Sequence, residues 1–212
     1  MRYYISDLHF FHETLLHDMD CRGFRDLEEM HEYIISRWNA RVGKKDEVVI
    51  LGDFSVGKGP ETAEILKRLR GKLSLVRGNH DWFLHDKHID WSRFQWIGDY
   101  RELHDERRKV ILSHYPIFCY NGQYHFDEKD RPRSYMLYGH VHNTFDEVLV
   151  NRFLHETRQE KRAYDKKGEV HNIPCNMINC FCMFSDYTPL TLDEWIQVDA
   201  ERRSRMAEEL SH

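Results

Sequence analysis

Five short elements carry the side chains best suited to chemistry: Asp7-Leu8-His9, Gly52-Asp53, Gly78-Asn79-His80-Asp81, His114 and Gly139-His140-Val141-His142. Mixed imidazole and carboxylate donors suit Mn, Fe, Zn, Co or Ni better than Ca or Mg, which prefer all-oxygen shells. These candidate ligands are too many for one ion and about right for two, if one carboxylate bridges. Residues i and i+2 project to the same side of a strand or turn end, so Asp7 with His9, and His140 with His142, are expected to chelate as pairs. Gly52, Gly78 and Gly139 remove side-chain bulk where the backbone must turn beside the ions.

Each element follows a segment that reads as a strand. Residues 1–77 alternate in signal: a strand at 3–6, a helix over about 27–40, a strand at 47–51, a helix over about 61–70 and a strand at 73–76. That order predicts βαβαβ with parallel strands, whose carboxyl ends open on the crevice where α/β sheets bind ligands. Asp26 and Glu29 sit in capping-box positions, and Leu27, Met30, Ile34 and Trp38 recur at helical spacing, which assigns them to packing. Further strands are expected at 110–113, 135–138 and 176–184, with a helix over about 145–159. The charge run at 156–167 reads as a solvated helix end and loop. A last helix over about 191–209 starts at a second capping box, Thr191 with Glu194.

Composition narrows the class. The chain has 212 residues, 41% hydrophobic and 13% aromatic, which is enough for one folded domain despite a mean hydropathy of -0.73. A net charge of -5 gives no general attraction to nucleic acid or anionic membrane, and two bound divalent cations would nearly cancel it. No basic stripe with interleaved aromatics stands out. Cys21, Cys119, Cys175, Cys180 and Cys182 are odd in number and lack CxxC spacing, so they read as free thiols in a reducing compartment. The opening Met-Arg-Tyr-Tyr-Ile shows no basic region followed by an apolar run, and no stretch has membrane-spanning length. A cytoplasmic location is the expectation.

The five elements together resemble the signature of calcineurin-like metallophosphoesterases, covering Asp7 to His142. The likeness to a small bacterial and phage-type branch extends to Tyr4-Ile5-Ser6-Asp7-Leu8-His9-Phe10, to Arg37-Trp38-Asn39-Ala40-Arg41-Val42, and to Asp-Tyr-x-Pro-Leu-Thr-Leu-Asp-Glu at 186–194. The resemblance implies an α/β fold, a four-layer α/β/β/α sandwich with two mixed sheets, in a single domain over 1–212. It also implies that Asp7, His9 and His142 hold a first ion, that Asn79, His114 and His140 hold a second, and that Asp53 bridges them. Two divalent transition-metal ions follow, manganese favoured, sharing a hydroxide of lowered pKa while polarising the phosphoryl oxygens. His80, not a ligand by this match, would stabilise developing charge or protonate the leaving oxygen. Asp81 has two open roles, orienting His80 or capping the following turn.

One departure bears on substrate. Protein Ser/Thr phosphatases of this superfamily continue Gly-Asp into Val-Asp-Arg-Gly and carry Glu after Asn-His, whereas here Phe54-Ser55-Val56-Gly57 follows Asp53 and Asp81 follows His80. Without that phosphate-gripping Arg, Arg22 and Arg25 are the substitute candidates, and diesters are favoured over monoester dianions. The expected substrate is a small phosphate ester or nucleotide. A nuclease or nucleic-acid end-processing enzyme of the same chemistry, and a non-catalytic binding module, are the competing readings.

Overall fold

The computed structural model describes residues 1–87, 89–129, 131–163, 168 and 170–209, with side chains up to 205. The first third alternates as the patterning predicts: β1 (Arg2–Ile5), α1 (Leu27–Arg41), β2 (Glu47–Ile50), α2 (Gly59–Arg68) and β3 (Lys72–Val76). Adjacent strands pair in parallel in the order β1-β2-β3, and β4 (Phe94–Gly98) extends the sheet beyond β3. The Asp26 carboxylate accepts the Glu29 N–H at 2.8 Å, closing one arm of the expected cap. The other arm is displaced, because Glu29 accepts from the N–H of Arg25 instead. On α1, Met30, Ile34 and Trp38 are fully buried, and Trp38 Nε1 donates to the Arg70 carbonyl. α2 starts two residues earlier than predicted, with Pro60 in its first turn, and stops at Arg68, because the Arg70 N–H bonds to Asn39 Oδ1 instead of continuing the helix.

The second sheet contains β5 (Tyr100–Asp105), β6 (Arg108–Ser113) and β7 (Ser134–Tyr138). After α3 (Phe145–Gln159), a separate ribbon pairs β8 (Lys161–Ala163) with β9 (Val170–Asn172), and β10 (Met177–Asn179) joins β7. The sheet order is β10-β7-β6-β5, and only the β5–β6 pair is antiparallel. This sheet is mixed, as expected. The first sheet differs: its four strands are all parallel, with α1 and α2 returning the chain between β1, β2 and β3, and among the described residues its antiparallel contact is confined to an isolated Tyr4–Leu190 bridge.

Three apolar clusters hold these elements together. One packs Ile5, Ile50 and Leu75 of the first sheet against Met30, Ile34, Trp38 and Ile65 of α1 and α2. A second joins Tyr4, Val49 and Val76 to Val110, Leu112, Leu137 and Ile178, so it contains residues of both sheets, together with Trp195 of α4 (Leu192–Glu209). A third sets Ile111, Met136 and Met177 with Val150 and Leu154 of α3. The predicted cap of α4 is complete: Thr191 N–H donates to Glu194 Oε2 at 2.8 Å and the Glu194 N–H donates to Thr191 Oγ1. The two remote stretches of family likeness meet in space, since Arg37 pairs with Asp186 and Arg41 with Glu194.

The strand expected over 176–184 is shorter. The Asn179 side chain accepts the Phe181 N–H and donates to the His142 carbonyl, which turns the chain out of the second sheet. Residues 180–182 then bond the edge of β1 through Ser6, and a 3-10 turn follows at Cys182–Ser185. Of the charge run at 156–167, the part to Gln159 ends α3 and Lys161–Ala163 is an exposed strand, while 164–167 lie outside the described residues. Among the described residues, no helix is long and apolar enough to cross a membrane.

Candidate metal centre

Every expected ligand lies just beyond a strand's carboxyl end: Asp7 and His9 after β1, Asp53 after β2, Asn79 after β3, His114 after β6, His140 and His142 after β7. Of the two settings expected for the pairs, a strand or a turn end, the structure has the turn end. Asp7, His9, Asp53, His140 and His142 all have positive φ, from 47° to 72°, so left-handed turns past the strands aim them inward. Such conformations cost of order 1–3 kcal/mol each in a non-glycine residue and persist only where surrounding contacts over-determine them. Close approach explains the glycines. A Cβ on Gly78 would lie 2.1 Å from Asp53 Oδ1, one on Gly139 would lie 2.6 Å from Asp7 Oδ2, and one on Gly52 would lie 2.3 Å from the His114 ring.

Two donor groups result, one of Asp7, His9, Asp53 and His142 and the other of Asp53, His114 and His140, each with its donor atoms within 4.8 Å of one another. Asp53 belongs to both. Its Oδ2 lies 3.4 Å from His9 Nε2 and 3.4 Å from His114 Nε2, while its Oδ1 accepts the His80 N–H at 2.8 Å. Asn79 Oδ1 lies 3.0 Å from His114 Nε2, which places it with the second group. Asp7 divides its oxygens likewise: Oδ1 accepts the His140 N–H at 2.9 Å, and Oδ2 is buried with no hydrogen-bond partner.

These residues fit a pair of cations. A buried carboxylate oxygen without a donor carries a large desolvation cost that a cation would remove. His9 and His142 face each other Nε2 to Nε2 at 3.1 Å, and His142 uses its Nδ1 on Asp20 Oδ1 at 2.7 Å. Burial, then Arg22 and His142, hold the His9 pKa well below its ordinary value, so its ring is neutral. For His114 burial acts downward, but the Asp53 carboxylate, the Asp7 charge and the Leu51 carbonyl push its pKa up to about 9. The pocket therefore calls for positive charge, and its imidazoles have their Nδ1 atoms turned to acceptors outside it: Leu51 O at 2.8 Å from His114 and Asp20 from His142.

Asp81 takes neither of the two roles left open for it. Its Oδ2 accepts the N–H groups of Gly78 at 2.8 Å and Asp53 at 3.0 Å, and its Oδ1 accepts those of Phe54 at 2.7 Å and Ser55 at 3.4 Å. It clamps the loop after β2 to the loop after β3. Burial pushes its pKa up to about 6, aided by the Asp53 charge and opposed by the N–H donors. The His80 ring sits 5.3 Å from His9 and 5.6 Å from His12, centroid to centroid.

The arginines expected to grip substrate are occupied. Arg22 is buried, donating to the carbonyls of Leu8 at 2.7 Å and Asp7 at 2.9 Å and to Asp20 Oδ2, so it braces the Asp7–His9 turn. Arg25 is exposed and pairs with Asp26. Sequence reasoning missed Asp20 and His12, which lie in a polar loop without periodicity. Beyond Asn79 a cavity of about 260 Å³ opens, walled by the exposed Trp82 and Trp91 with Leu84, His85 and Ile97.

Comparison with known proteins bears on the family and the fold. A family model described as "Calcineurin-like phosphoesterase superfamily domain" matches residues 3–158. The chain is 33% identical over 149 residues to "Uncharacterized protein MJ1445" of Methanocaldococcus jannaschii, covering 68% of this chain and 72% of that protein. It is 27% identical over 194 residues to "Gene 66 protein" of Mycobacterium phage L5, covering 79% and 88%. The solved structure of the protein of unknown function AQ665 from Aquifex aeolicus superimposes with a TM-score of 0.59 over 93% of this chain and 98% of its own, at 22% identity, which is a likeness of fold.

Proposed function

Since the chain belongs to the calcineurin-like phosphoesterase superfamily, we propose that it hydrolyses phosphate esters at a centre of two divalent transition-metal ions, with diesters preferred over monoesters. The observation that carries this reading is Asp53 Oδ2, equidistant from His9 Nε2 and His114 Nε2 and common to both donor groups. Asp7, His9 and His142 would hold one ion, Asn79, His114 and His140 the other, and Asp53 both. Two such ions would supply the Lewis acidity that activates a water and polarises the phosphoryl oxygens; the donor set suits manganese, among others.

The chain's own residues do the rest. Asp20 and the Leu51 carbonyl hold Nδ1–H of His142 and His114, so that Nε2 presents its lone pair. His80, beside His9 and outside both donor groups, is the group to stabilise charge or hand a proton to the leaving oxygen. A monoester dianion benefits from a guanidinium clamp, and Arg22 and Arg25 are engaged elsewhere, which supports the diester preference. Trp82 and Trp91 beside Asn79 support a second reading, a nucleic-acid end-processing enzyme whose unpaired base stacks there.

The test is metal analysis of purified protein, with kcat/KM on bis-p-nitrophenyl phosphate, p-nitrophenyl phosphate and a single-stranded oligonucleotide in Mn²⁺. Asp53→Asn should lose both metal and turnover, whereas His80→Ala should keep its metals and lose roughly 10²- to 10⁴-fold in rate. Asp53→Asn with two metals and full activity would refute the bridge. A tenfold faster monoester would refute the diester preference.

A further inference from the structure

The tryptophans of this chain divide into two kinds. Trp38 and Trp195 are fully buried and Trp96 is half-buried with the Arg101 guanidinium 4.8 Å from its ring centroid, whereas Trp82 and Trp91 are 66% and 47% exposed. An indole left in water keeps a large apolar face uncovered, so two that wall one cavity mark a place built to be covered by something else. That cavity, about 260 Å³, also touches Asn79, whose Oδ1 stands with the second donor group. Trp82 directly follows the Gly78-Asn79-His80-Asp81 element and its N–H donates to the His80 carbonyl at 2.8 Å, so the loop that presents Asn79 also sets this indole. Trp91 comes from a separate 3-10 turn, Trp91–Arg93, whose start is fixed by the Asp90 carboxylate accepting the Ser92 N–H.

Because Asn79 belongs both to the centre and to the cavity wall, an ester group on a phosphoryl bound at the centre has this cavity as its neighbour. Indole faces recognise flat rings by stacking, and a volume below the roughly 300–1,000 Å³ of pockets that take drug-sized ligands suits one ring system rather than several. We propose that the cavity is a nucleobase subsite, in which a base stacks on Trp82 and Trp91 while its sugar carries the phosphate ester to the centre, so that the substrate is a small nucleotide diester. This rests on the phosphoesterase reading and names its substrate class. Charge decides against a strand. Among the described residues lining the cavity, Arg77 is the only guanidinium or ammonium, and it pairs with Asp99. The successive phosphates of a strand would find no basic track there, which single-strand binding requires.

The experiment titrates Zn²⁺-loaded protein by calorimetry with adenosine monophosphate, ribose phosphate and orthophosphate, with metal analysis alongside; monoesters, the slower substrates on this reading, serve as ligands. Adenosine monophosphate should bind about 5- to 150-fold tighter than ribose phosphate, the worth of one stacked base. Trp82→Ala and Trp91→Ala should each lose much of that margin while keeping both metals and the orthophosphate affinity of wild type, and Trp82→Phe and Trp91→Phe should restore most of it. Trp91→Ala carries the test even where Trp82→Ala disturbs the neighbouring loop, since its turn holds no ligand. Equal affinity for the two sugar phosphates, or alanine variants that bind adenosine monophosphate as wild type does, would overturn the proposal. A short single-stranded oligonucleotide that binds tighter than adenosine monophosphate, and loses that advantage in Trp91→Ala, would overturn it too by giving the cavity to a strand end. Base discrimination needs no turnover, so a protein that makes it through Trp82 and Trp91 yet cleaves no ester counts against the phosphoesterase reading alone.

Discussion

Replacing Asp81 by Asn tests whether the loops after β2 and β3 are clamped by one carboxylate. The substitution is nearly isosteric, but one carbonyl oxygen must do the work of two oxygens. If the amide oxygen takes the place of Oδ2, the NH₂ group faces the N–H of Phe54 and Ser55; if flipped, it faces those of Gly78 and Asp53. Either way two backbone donors, both in a buried setting, lose their acceptor. At about 1–3 kcal/mol per orphaned group the ceiling is roughly 6 kcal/mol, and the long Ser55 contact and local relaxation bring the expectation to about 2–4 kcal/mol. Urea unfolding of metal-free protein at pH 8, above the Asp81 pKa of about 6, reads this directly as a lower midpoint at unchanged slope. A loss below about 0.5 kcal/mol, the range of an indifferent substitution, would refute the clamp. Because the Asp53 N–H is one of the four donors, metal affinity should fall in parallel.

Asp20→Ala should weaken metal binding by about 10- to 100-fold, since His142 loses its Nδ1 acceptor and Arg22 its carboxylate; unchanged affinity by competition titration would make Asp20 a bystander. Thiol labelling of native protein should modify Cys21 and Cys119 alone, leaving buried Cys175, Cys180 and Cys182 until denaturant is added, and a disulfide in protein prepared without oxidant would contradict this. Burial acts to raise the pKa of Glu194, but the Thr191 N–H and hydroxyl and Arg41 hold it below its ordinary 4.5. Stability from this carboxylate is therefore present above that value and lost as pH falls through the lower folded pKa, so Glu194→Gln should be less stable than wild type at neutral pH and the gap should close as acidification carries the carboxylate through that folded pKa; a gap that stays constant across the acid titration would refute the linkage.

Much of this was legible because it depends on periodicity. The βαβαβ order, the apolar face of α1 and the placement of each polar motif after a strand follow from residue spacing, whereas the division of the ligands between two ions came from the family resemblance. The backbone at the site was not legible. Asp and His adopt positive φ more readily than most side chains, so the types of Asp7, His9, Asp53, His140 and His142 permit it, but they do not require it, and the sign is imposed by contacts with distant loops. Asp81 was visible in its motif yet misread, since its partners are main-chain N–H groups, three of them more than twenty-five residues earlier in the chain. β4 and β5 were missed because neither alternates cleanly: β4 is buried or half-buried at four of its five residues, and β5 is mostly exposed at a sheet edge.

The same contacts explain how a site with so many strained residues can hold together. Asp7 and Asp53 each give one carboxylate oxygen to the backbone N–H of a different loop, His140 and His80, and keep the other for the centre. Asp81 ties the β2 and β3 loops, Arg22 ties the Asp7–His9 turn to Asp20, and Asp20 ties that segment to His142. Every donor loop is thereby held by another donor loop rather than by solvent. The left-handed conformations, of order 1–3 kcal/mol each, are over-determined by charge-assisted hydrogen bonds of about the same worth. What these bonds leave unmatched is the electrostatics of the middle, with Asp7 Oδ2 lacking a donor and two imidazole nitrogens, of His9 and His142, facing each other 3.1 Å apart. The strain has been met by the protein itself, and the charge has been left for the ions.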